Sequence, residues 1–215
     1  MGRETRAMQD DEVTGPAALW LLDGEALWNK LGCTGCHGNA RASMRGVAAR
    51  YPLVEKKLIN LEQRINLCRT ERQKAPALAN ESRDLLALSA YVGRQSRGLP
   101  IEISITEQSR PYLDAGRETF HRRQGQLNLA CTQCHDDNWG KKLSGSTIPQ
   151  AHPTGYPIYR LEWQGMGSLQ RRLRNCMVGV RAEPYAYGSA EFVELELYLM
   201  WRARGMKLET PAVRP

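Results

Sequence analysis

The chain has 215 residues, 41% of them apolar, and 30 Lys and Arg against 23 Asp and Glu give it a formal net charge of +7. This length suits one large domain or two small ones, and five Trp and eight Tyr argue against a disordered chain. No apolar run approaches the ~18 residues of a membrane helix, and no recognition module accompanies the basic charge, so neither a membrane span nor nucleic-acid binding is expected.

The first predicted elements are a surface arm, a helix and a haem-attachment motif. Residues 1–15 are polar and are expected to lie on the surface, whereas Gly24–Trp28 predicts a helix carrying one aromatic ring. Next comes Cys33-Thr34-Gly35-Cys36-His37, a C-x-x-C-H motif. Two thiols one helical turn apart can add to the two vinyl groups of one porphyrin, and the histidine then reaches the iron. The motif therefore predicts a covalent haem held by Cys33, Cys36 and His37.

The second iron ligand in the first half is predicted to be Cys68. Met44 lies only seven residues past His37, too close to reach the opposite haem face easily. No Met lies between Met44 and Met166, and the first half has no further His. A thiolate donates electron density and stabilises Fe(III), which suits sulfur chemistry better than simple electron transport.

The boundary between two domains is placed near residues 94–110. Apolar residues alternate with polar ones over Ile101–Ile105, a pattern that predicts a short strand or an extended linker. The predicted division is a first domain over residues 1–98, which includes the N-terminal arm, and a second domain over residues 99–215.

The second half repeats the order of the first. Gly116–Phe120 corresponds to Gly24–Trp28, and Cys131-Thr132-Gln133-Cys134-His135 is a second C-x-x-C-H motif. An R-x-x-x-C sequence ends at Cys176 as it does at Cys68, and a helical pattern follows each. The predicted fold class is therefore mainly α, with two tandem cytochrome c domains and long irregular loops.

Other uses of a C-x-x-C pair are disfavoured. A zinc ribbon would need its knuckles much closer than the 95 positions that separate Cys36 from Cys131. A thioredoxin-like pair needs no histidine after both copies. Cys131, Cys134 and His135 are therefore predicted to hold a second covalent haem.

Cys176 is predicted to be the other ligand of this second haem, because the repeat places it where Cys68 stands. The second half also contains competing ligands: Met166, Met177, Met200, Met206, His121 and His152. A disulfide between Cys68 and Cys176, or simple burial of both thiols, is a further alternative.

The segment around Cys176 is basic. It contains Arg171, Arg172, Arg174 and Arg181. In a helix, Arg172 and Cys176 share one face, where a guanidinium favours the thiolate and suits an oxyanion. The alternative is that these arginines pair with haem propionates or are solvated. Residues 136–165 lengthen the second half beside its haem motif, as a substrate-site loop or as a packing insertion.

The chain resembles the SoxA family, the dihaem cytochromes of the sulfur-oxidising thiosulfate pathway. Arg6–Asp11, Pro16–Trp20 and Gly24–Trp28, together with the intact haem motifs, carry this resemblance. The stretch Leu169–Cys176 followed by Val180–Pro184 looks like the active-site segment of that family. The resemblance covers nearly the whole chain.

The resemblance implies a ligand set and a reaction. The first haem would be held by Cys33, Cys36, His37 and Cys68, and the second by Cys131, Cys134, His135 and Cys176. Cys176 would be the catalytic residue, often carried as a persulfide in this family, and Arg172 would bind the substrate oxyanion. The implied L-cysteine S-thiosulfotransferase joins thiosulfate to a cysteine of the SoxYZ carrier protein, and the electrons pass to a monohaem partner, SoxX.

Two alternative functions stay open at this point. A plain dihaem electron carrier would have Met-ligated haems, and a thiosulfate dehydrogenase would form tetrathionate without a carrier protein. The basic segment around Cys176 favours the transferase. Haem attachment of this kind takes place outside the bacterial cytoplasm, so the expected location is the periplasm. Because Met1–Gly24 lacks a basic-then-apolar signal pattern, a signal peptide is expected to have been removed.

Overall fold

The protein is mainly helical in the computed structural model, which describes residues 2–143 and 145–215. The helices are α1 (Arg3–Asp10), α2 (Ala18–Lys30), α3 (Cys33–His37), α4 (Ala40–Ser43), α5 (Leu61–Leu67), α6 (Arg83–Arg94), α7 (Arg110–His121), α8 (Cys131–His135), α9 (Leu169–Gly179) and α10 (Ala190–Arg202). The strands are β1 (Leu53–Val54), β2 (Leu58–Ile59), β3 (Lys142–Leu143), β4 (Ser146–Thr147), β5 (Ile158–Arg160), β6 (Gly165–Gly167) and β7 (Ala212–Arg214). None of the helices in these ranges is long and apolar enough to cross a membrane.

The first half is built on the crossing of α2 and α6. A Cβ atom at Gly24 would lie 2.2 Å from the Ala87 carbonyl oxygen and 2.6 Å from Cβ of Tyr91, so the two backbones meet where only glycine fits. Trp28 packs one turn further on, 4% exposed, with its ring 6.1 Å from that of Tyr91. This crossing organises the small apolar core of the first half.

The second half repeats this crossing with α7 and α10. A Cβ atom at Gly116 would lie 2.1 Å from the Glu194 carbonyl oxygen and 3.0 Å from Cβ of Tyr198. Phe120 is 1% exposed, and its ring centroid is 5.4 Å from that of Tyr198. The residues matched between the halves by sequence therefore occupy equivalent places, which confirms the predicted repeat.

Serine caps start the helices that carry or support the sites. The side-chain oxygens of Ser82, Ser168 and Ser189 accept hydrogen bonds from the third helical N–H of α6, α9 and α10, respectively. Such caps satisfy N–H groups that have no partner within the helix. The loop lengths and these caps thus determine where α9 and α10 begin.

The linker between the halves is extended but is not a regular strand. Ile101 and Ile103 are 2% and 8% exposed and enter the larger core, which belongs mainly to the second half. The Ile101 N–H donates to the Met206 carbonyl, and the Gly205 N–H donates back to the Ile101 carbonyl, both at 2.9 Å. Of the two structures predicted for this segment, the extended linker is the one found.

The N-terminal arm contains a helix, and that helix packs against the far end of the chain. Strand β5 pairs antiparallel with β6 and parallel with β7, in the order β6-β5-β7. Gln9 of α1 is 5% exposed, and its Oε1 accepts a hydrogen bond from the Val213 N–H at 3.2 Å. The arm thus lies on the surface, as predicted, and is attached to the three-stranded sheet of the second half.

Candidate active site

The first C-x-x-C-H motif forms the short helix α3. Cys33 is half-buried, whereas Cys36 and His37 are exposed. The His37 ring packs against Trp28, with 5.7 Å between ring centroids, and Nε1 of Trp28 donates to the Gly38 carbonyl at 3.1 Å. The predicted helical aromatic therefore supports the histidine of the motif directly.

Cys68 is brought to this motif by α5. The helix starts with a capping box between Asn60 and Gln63 and ends in a π-helical turn that begins at Cys68. Cys68 lies close enough to Cys33 to raise the pKa of that thiol, which burial has already raised. Arg69, 8% exposed, has the opposite effect on the pKa of Cys33. The motif and the lone cysteine of the first half therefore face one site.

The second C-x-x-C-H motif forms α8, and its histidine has a hydrogen-bonded ring. Nδ1 of His135 lies 2.7 Å from the Pro149 carbonyl oxygen. Donation from Nδ1 leaves Nε2 as the free ligand atom and holds the ring in one orientation. Burial is the largest cause that lowers the pKa of His135, with Arg172 and Arg202 adding to it, so the neutral form required of a ligand is favoured.

Pro149 gives the extra loop of the second half a function that the sequence did not reveal. The loop was predicted to shape a substrate site or to be a packing insertion, whereas here it supplies the acceptor for His135. No corresponding acceptor for the His37 ring is present among residues 2–143 and 145–215. The only sequence signal was the concentration of Gly and Pro in a loop directly after one motif.

Cys176 projects from α9 toward the second motif. It is half-buried, and it interacts electrostatically with both Cys131 and Cys134. Burial raises the pKa of Cys176, and the neighbouring Arg172 guanidinium lowers it. Arg172 therefore acts on the thiol as expected from the i, i+4 spacing, but burial has the larger effect on the pKa of Cys176.

Only one of the four arginines near Cys176 in the sequence acts on its thiol. Arg171 stacks on the Trp163 ring at 4.4 Å, and Arg174 lies over the Tyr187 ring at 4.8 Å and donates to the Tyr185 carbonyl. Consecutive helical residues point about 100° apart, so the Arg171 and Arg174 side chains point away from the face of α9 that carries Arg172. The expected cluster of four is therefore reduced to Arg172.

A second arginine reaches this site from a different element. Arg160 on β5 interacts electrostatically with both Arg172 and Cys176, and burial together with Arg172 lowers its pKa. Its Nη2 lies 2.7 Å from the Glu162 carboxylate. Burial raises the pKa of the adjacent Tyr156 phenol to about 12, so it is neutral at physiological pH. Sequence spacing could not reveal either residue, because the β5–β6 hairpin brings them in from outside α9.

Two of the six competing iron ligands are buried in the core. These are Met166 and Met200, which are 1% and 7% exposed. All six cysteines are free thiols, so Cys68 and Cys176 form no disulfide. Each half provides two motif thiols, one imidazole and one further thiol. This set of donors fits a covalently attached haem.

A further ion pair holds the second motif against α10. Arg202 bonds to Asp136, directly after His135, with Nη2 2.5 Å from Oδ1. The same guanidinium lies over the Phe120 ring at 4.5 Å. It thus connects the haem motif to the α7–α10 crossing.

Comparison with known proteins agrees with this architecture. The family model described as SoxA/TsdA, cytochrome c domain, matches residues 23–101 and 115–208, which contain both C-x-x-C-H motifs. The chain belongs to the SoxA/TsdA cytochrome c family. It is a mainly helical protein of tandem cytochrome c domains that binds haem c, as the sequence predicted.

Individual relatives within the SoxA group cover nearly all of the chain. The L-cysteine S-thiosulfotransferase subunit SoxA of Pseudaminobacter salicylatoxidans is 35% identical over 98% of this chain and 77% of that protein. The corresponding subunit of Rhodovulum sulfidophilum is 33% identical over the same shares. The crystal structure of SoxXA from P. pantotrophus matches with a TM-score of 0.95 at 32% identity, covering 100% of this chain and 84% of that chain. The resemblance to SoxA is thereby confirmed.

Proposed function

We propose that the chain is the SoxA subunit of an L-cysteine S-thiosulfotransferase, which couples thiosulfate oxidatively to a cysteine of a SoxYZ carrier protein. The observation that carries this proposal is the pairing of Cys176 with Arg172 beside the thiols of the second motif. The relatives named for this activity support it.

Two covalent haems are part of the proposal. Cys33 and Cys36 would attach the first and Cys131 and Cys134 the second, with His37 and Cys68, and His135 and Cys176, as the respective iron ligands. When bound, the haem beside Cys176 accepts electrons one at a time. The proposed domains are residues 1–98 and 99–215, each with one haem. Separate α2–α6 and α7–α10 crossings support that division.

The reacting atoms are the Cys176 sulfur and the outer sulfur of thiosulfate. Arg172 holds the sulfonate oxygens, which suit the planar donor array of a guanidinium. The Cys176 thiolate bonds to the outer sulfur, and two electrons leave. The carrier cysteine then attacks that sulfur as a thiolate and takes the S–SO₃⁻ group, while Cys176 departs as a thiolate, as in thiol–disulfide exchange. In total, a carrier thiol and thiosulfate give the thiosulfonated carrier, one proton and two electrons.

The partners and location follow from this reaction. A monohaem SoxX subunit would take the electrons onward, and similarity to a SoxXA structure supports that pairing. We infer a periplasmic location, because covalent haem attachment of this kind takes place outside the bacterial cytoplasm. The basic excess would steer the doubly charged thiosulfate anion, less so at high salt.

The proposal is tested by incubating the haem-loaded protein and its monohaem partner with thiosulfate, an oxidised electron acceptor and a thiol carrier. We expect a thiosulfonate adduct on the carrier cysteine by mass spectrometry, with two electrons delivered per adduct. Tetrathionate formed without a carrier would instead identify a thiosulfate dehydrogenase. Electron exchange with no sulfur product would identify a plain carrier.

A further inference from the structure

A buried polar network joins the two halves away from both haem motifs. Nδ2 of Asn60, the N-cap of α5, lies 3.1 Å from Oε1 and 3.3 Å from Oε2 of Glu196 on α10. Nε2 of Gln170 on α9 donates to the same Oε1 at 2.6 Å. Asn60, Gln170 and Glu196 are 5%, 4% and 6% exposed. Glu196 therefore links the helix that leads to Cys68 with the helix that carries Cys176.

The orientations of the Asn60 and Gln170 side-chain amides are determined by the other hydrogen bonds that these groups make. Oδ1 of Asn60 accepts from the Gln63 N–H at 2.9 Å, and Oε1 of Gln170 accepts from the Gly188 N–H at 2.7 Å. Their NH₂ groups must therefore face Glu196 as donors. Both short contacts go to Oε1, and Oε2 has only the longer one, so Oε2 is the atom with room for a proton.

Glu196 faces acidic and neutral groups but no cation among the described residues. Glu62 of α5 lies close enough to repel its charge, and α9 offers only the neutral Gln170 amide. Strand β2 contributes the apolar Leu58 and Ile59. Helix α7 crosses α10 beside Glu194 and Tyr198 rather than at Glu196.

The surroundings of Glu62 are also acidic. Glu62 and Glu81 line a cavity of about 20 Å³ between the halves, with room for about one water molecule. Tyr187 on the far wall interacts with Glu81, and Arg171 and Arg174 act on that phenol rather than on Glu62. Burial raises the pKa of Glu62, and Glu81 raises it further. Burial likewise raises the pKa of Glu196, and Glu62 adds to that effect, which outweighs the lowering of the pKa by the hydrogen bonds from Gln170 and Asn60.

We propose that the buried Glu196 carboxyl, with Glu62 of the other half as its acidic neighbour, holds a proton between the two haem domains and forms a proton-binding site that joins them. A buried carboxylate beside a half-buried one, with no cation near, stays charged only at high cost, and one bound proton removes one of the two charges. This site is independent of the sulfur reaction. As pH rises, the pair gains its second negative charge and the junction of the domains weakens.

The direction of the pH effect follows from the raised pKa values. The folded protein keeps a proton that the unfolded chain releases near the usual carboxyl range, so the folded state binds more protons between about pH 5 and pH 8. Stability must then fall as pH rises through this window. Below it both states are protonated, and the folded state carries no penalty from the pair.

Thermal unfolding of the haem-loaded protein between pH 5 and pH 8 tests the site, with Glu196→Gln as the variant. We expect the wild-type midpoint to fall by on the order of 5 °C across this range, and the Glu196→Gln midpoint to fall by less than half as much. Glu191→Gln, an exposed change on the same helix, should behave like wild type. An equally large fall in Glu196→Gln would overturn the proposal.

A second measurement does not depend on how well the Glu196 variant folds. Infrared spectroscopy of the wild-type holoprotein should show a protonated carboxyl band at pH 7 that disappears on raising the pH to about 9. Glu62→Gln, made in the other half, should lower the pH at which the Glu196 band disappears. No such band at pH 7 would contradict the proposal.

Discussion

At the scale of single residues, the proposed chemistry depends on Cys176 and on Arg172, which acts on the Cys176 thiol more strongly than Arg160 does. Burial raises the pKa of this thiol and Arg172 lowers it, so the half-buried thiol lies close to a cation. A negatively charged substrate that enters beside Arg172 meets a guanidinium that makes no ion pair with the described residues.

Arg172→Ala should lower thiosulfate-dependent turnover by about 30- to 100-fold, the cost of one charge-assisted contact to an oxyanion. Both haem spectra should be retained. Arg181→Ala is the matched control, because the Arg181 side chain has no hydrogen bond or ion pair with the described residues. Steady-state kinetics with the carrier measure both variants, and full activity in Arg172→Ala would refute the assigned role.

Cys176→Ala and Cys68→Ala should each remove one low-spin thiolate-type signal from the EPR spectrum of the oxidised protein. The reason is that each thiol lies beside the motif of its own half and is not paired in a disulfide. Met177→Ala, which changes the competing ligand next to Cys176, should keep both signals. Two unchanged spectra in the cysteine variants would remove the ligand assignment.

At the scale of elements, each half depends on one glycine at a helix crossing. The clearances at Gly24 and Gly116 are nearly the same, and in both cases the obstructing atom is a backbone carbonyl oxygen of the opposite helix. A backbone oxygen cannot move aside as the end of a flexible side chain can. The close approach of each helix pair therefore depends on the absence of one methyl group.

Gly116→Ala and Gly24→Ala should each destabilise the holoprotein by about 3 kcal/mol, at the upper end of overpacking costs. Chemical denaturation followed by helical circular dichroism measures this. Gly165→Ala is the control, because a Cβ atom there would make only an ordinary contact, 3.6 Å from the Trp163 carbonyl oxygen. Wild-type stability in either crossing variant would show that the helices can separate without cost.

Local spacing explains which parts of the site could be predicted from the sequence. The C-x-x-C-H motifs and the Arg172–Cys176 pair each lie within a single helix, and Arg64–Cys68 runs from α5 into the π-helical turn that continues it. Their spacing therefore determines which side chains share a face. Pro149, Arg160 and the Glu196–Asn60 bond depend on loops and on packing between halves, the last across 136 positions of chain. No local pattern contains that information.

At the scale of the whole molecule, several segments of the first half pack against segments of the second half. The linker pairs with the segment after α10, Asn60 bonds to Glu196, and α1 packs against β7. The two halves therefore do not form independent bodies joined by a free hinge.

Gln9→Ala should lower the free energy of unfolding by about 1 to 2 kcal/mol, because it leaves the buried Val213 N–H without its acceptor. Glu4→Ala on the exposed side of the same helix should change it by less than about 0.5 kcal/mol. Urea denaturation of the two variants provides the comparison. Equal stabilities would mean that the arm contributes nothing to the sheet.

The bond between Gln9 and Val213 also has a kinetic consequence. It closes a loop of 204 positions, and closing long loops is entropically costly and therefore slow. Because β7 follows the rest of the described chain, α1 can bond to Arg97 before β7 is made but cannot make its contact with the sheet until then. During synthesis the packing of α1 on the sheet is therefore a late step in the folding of the described residues.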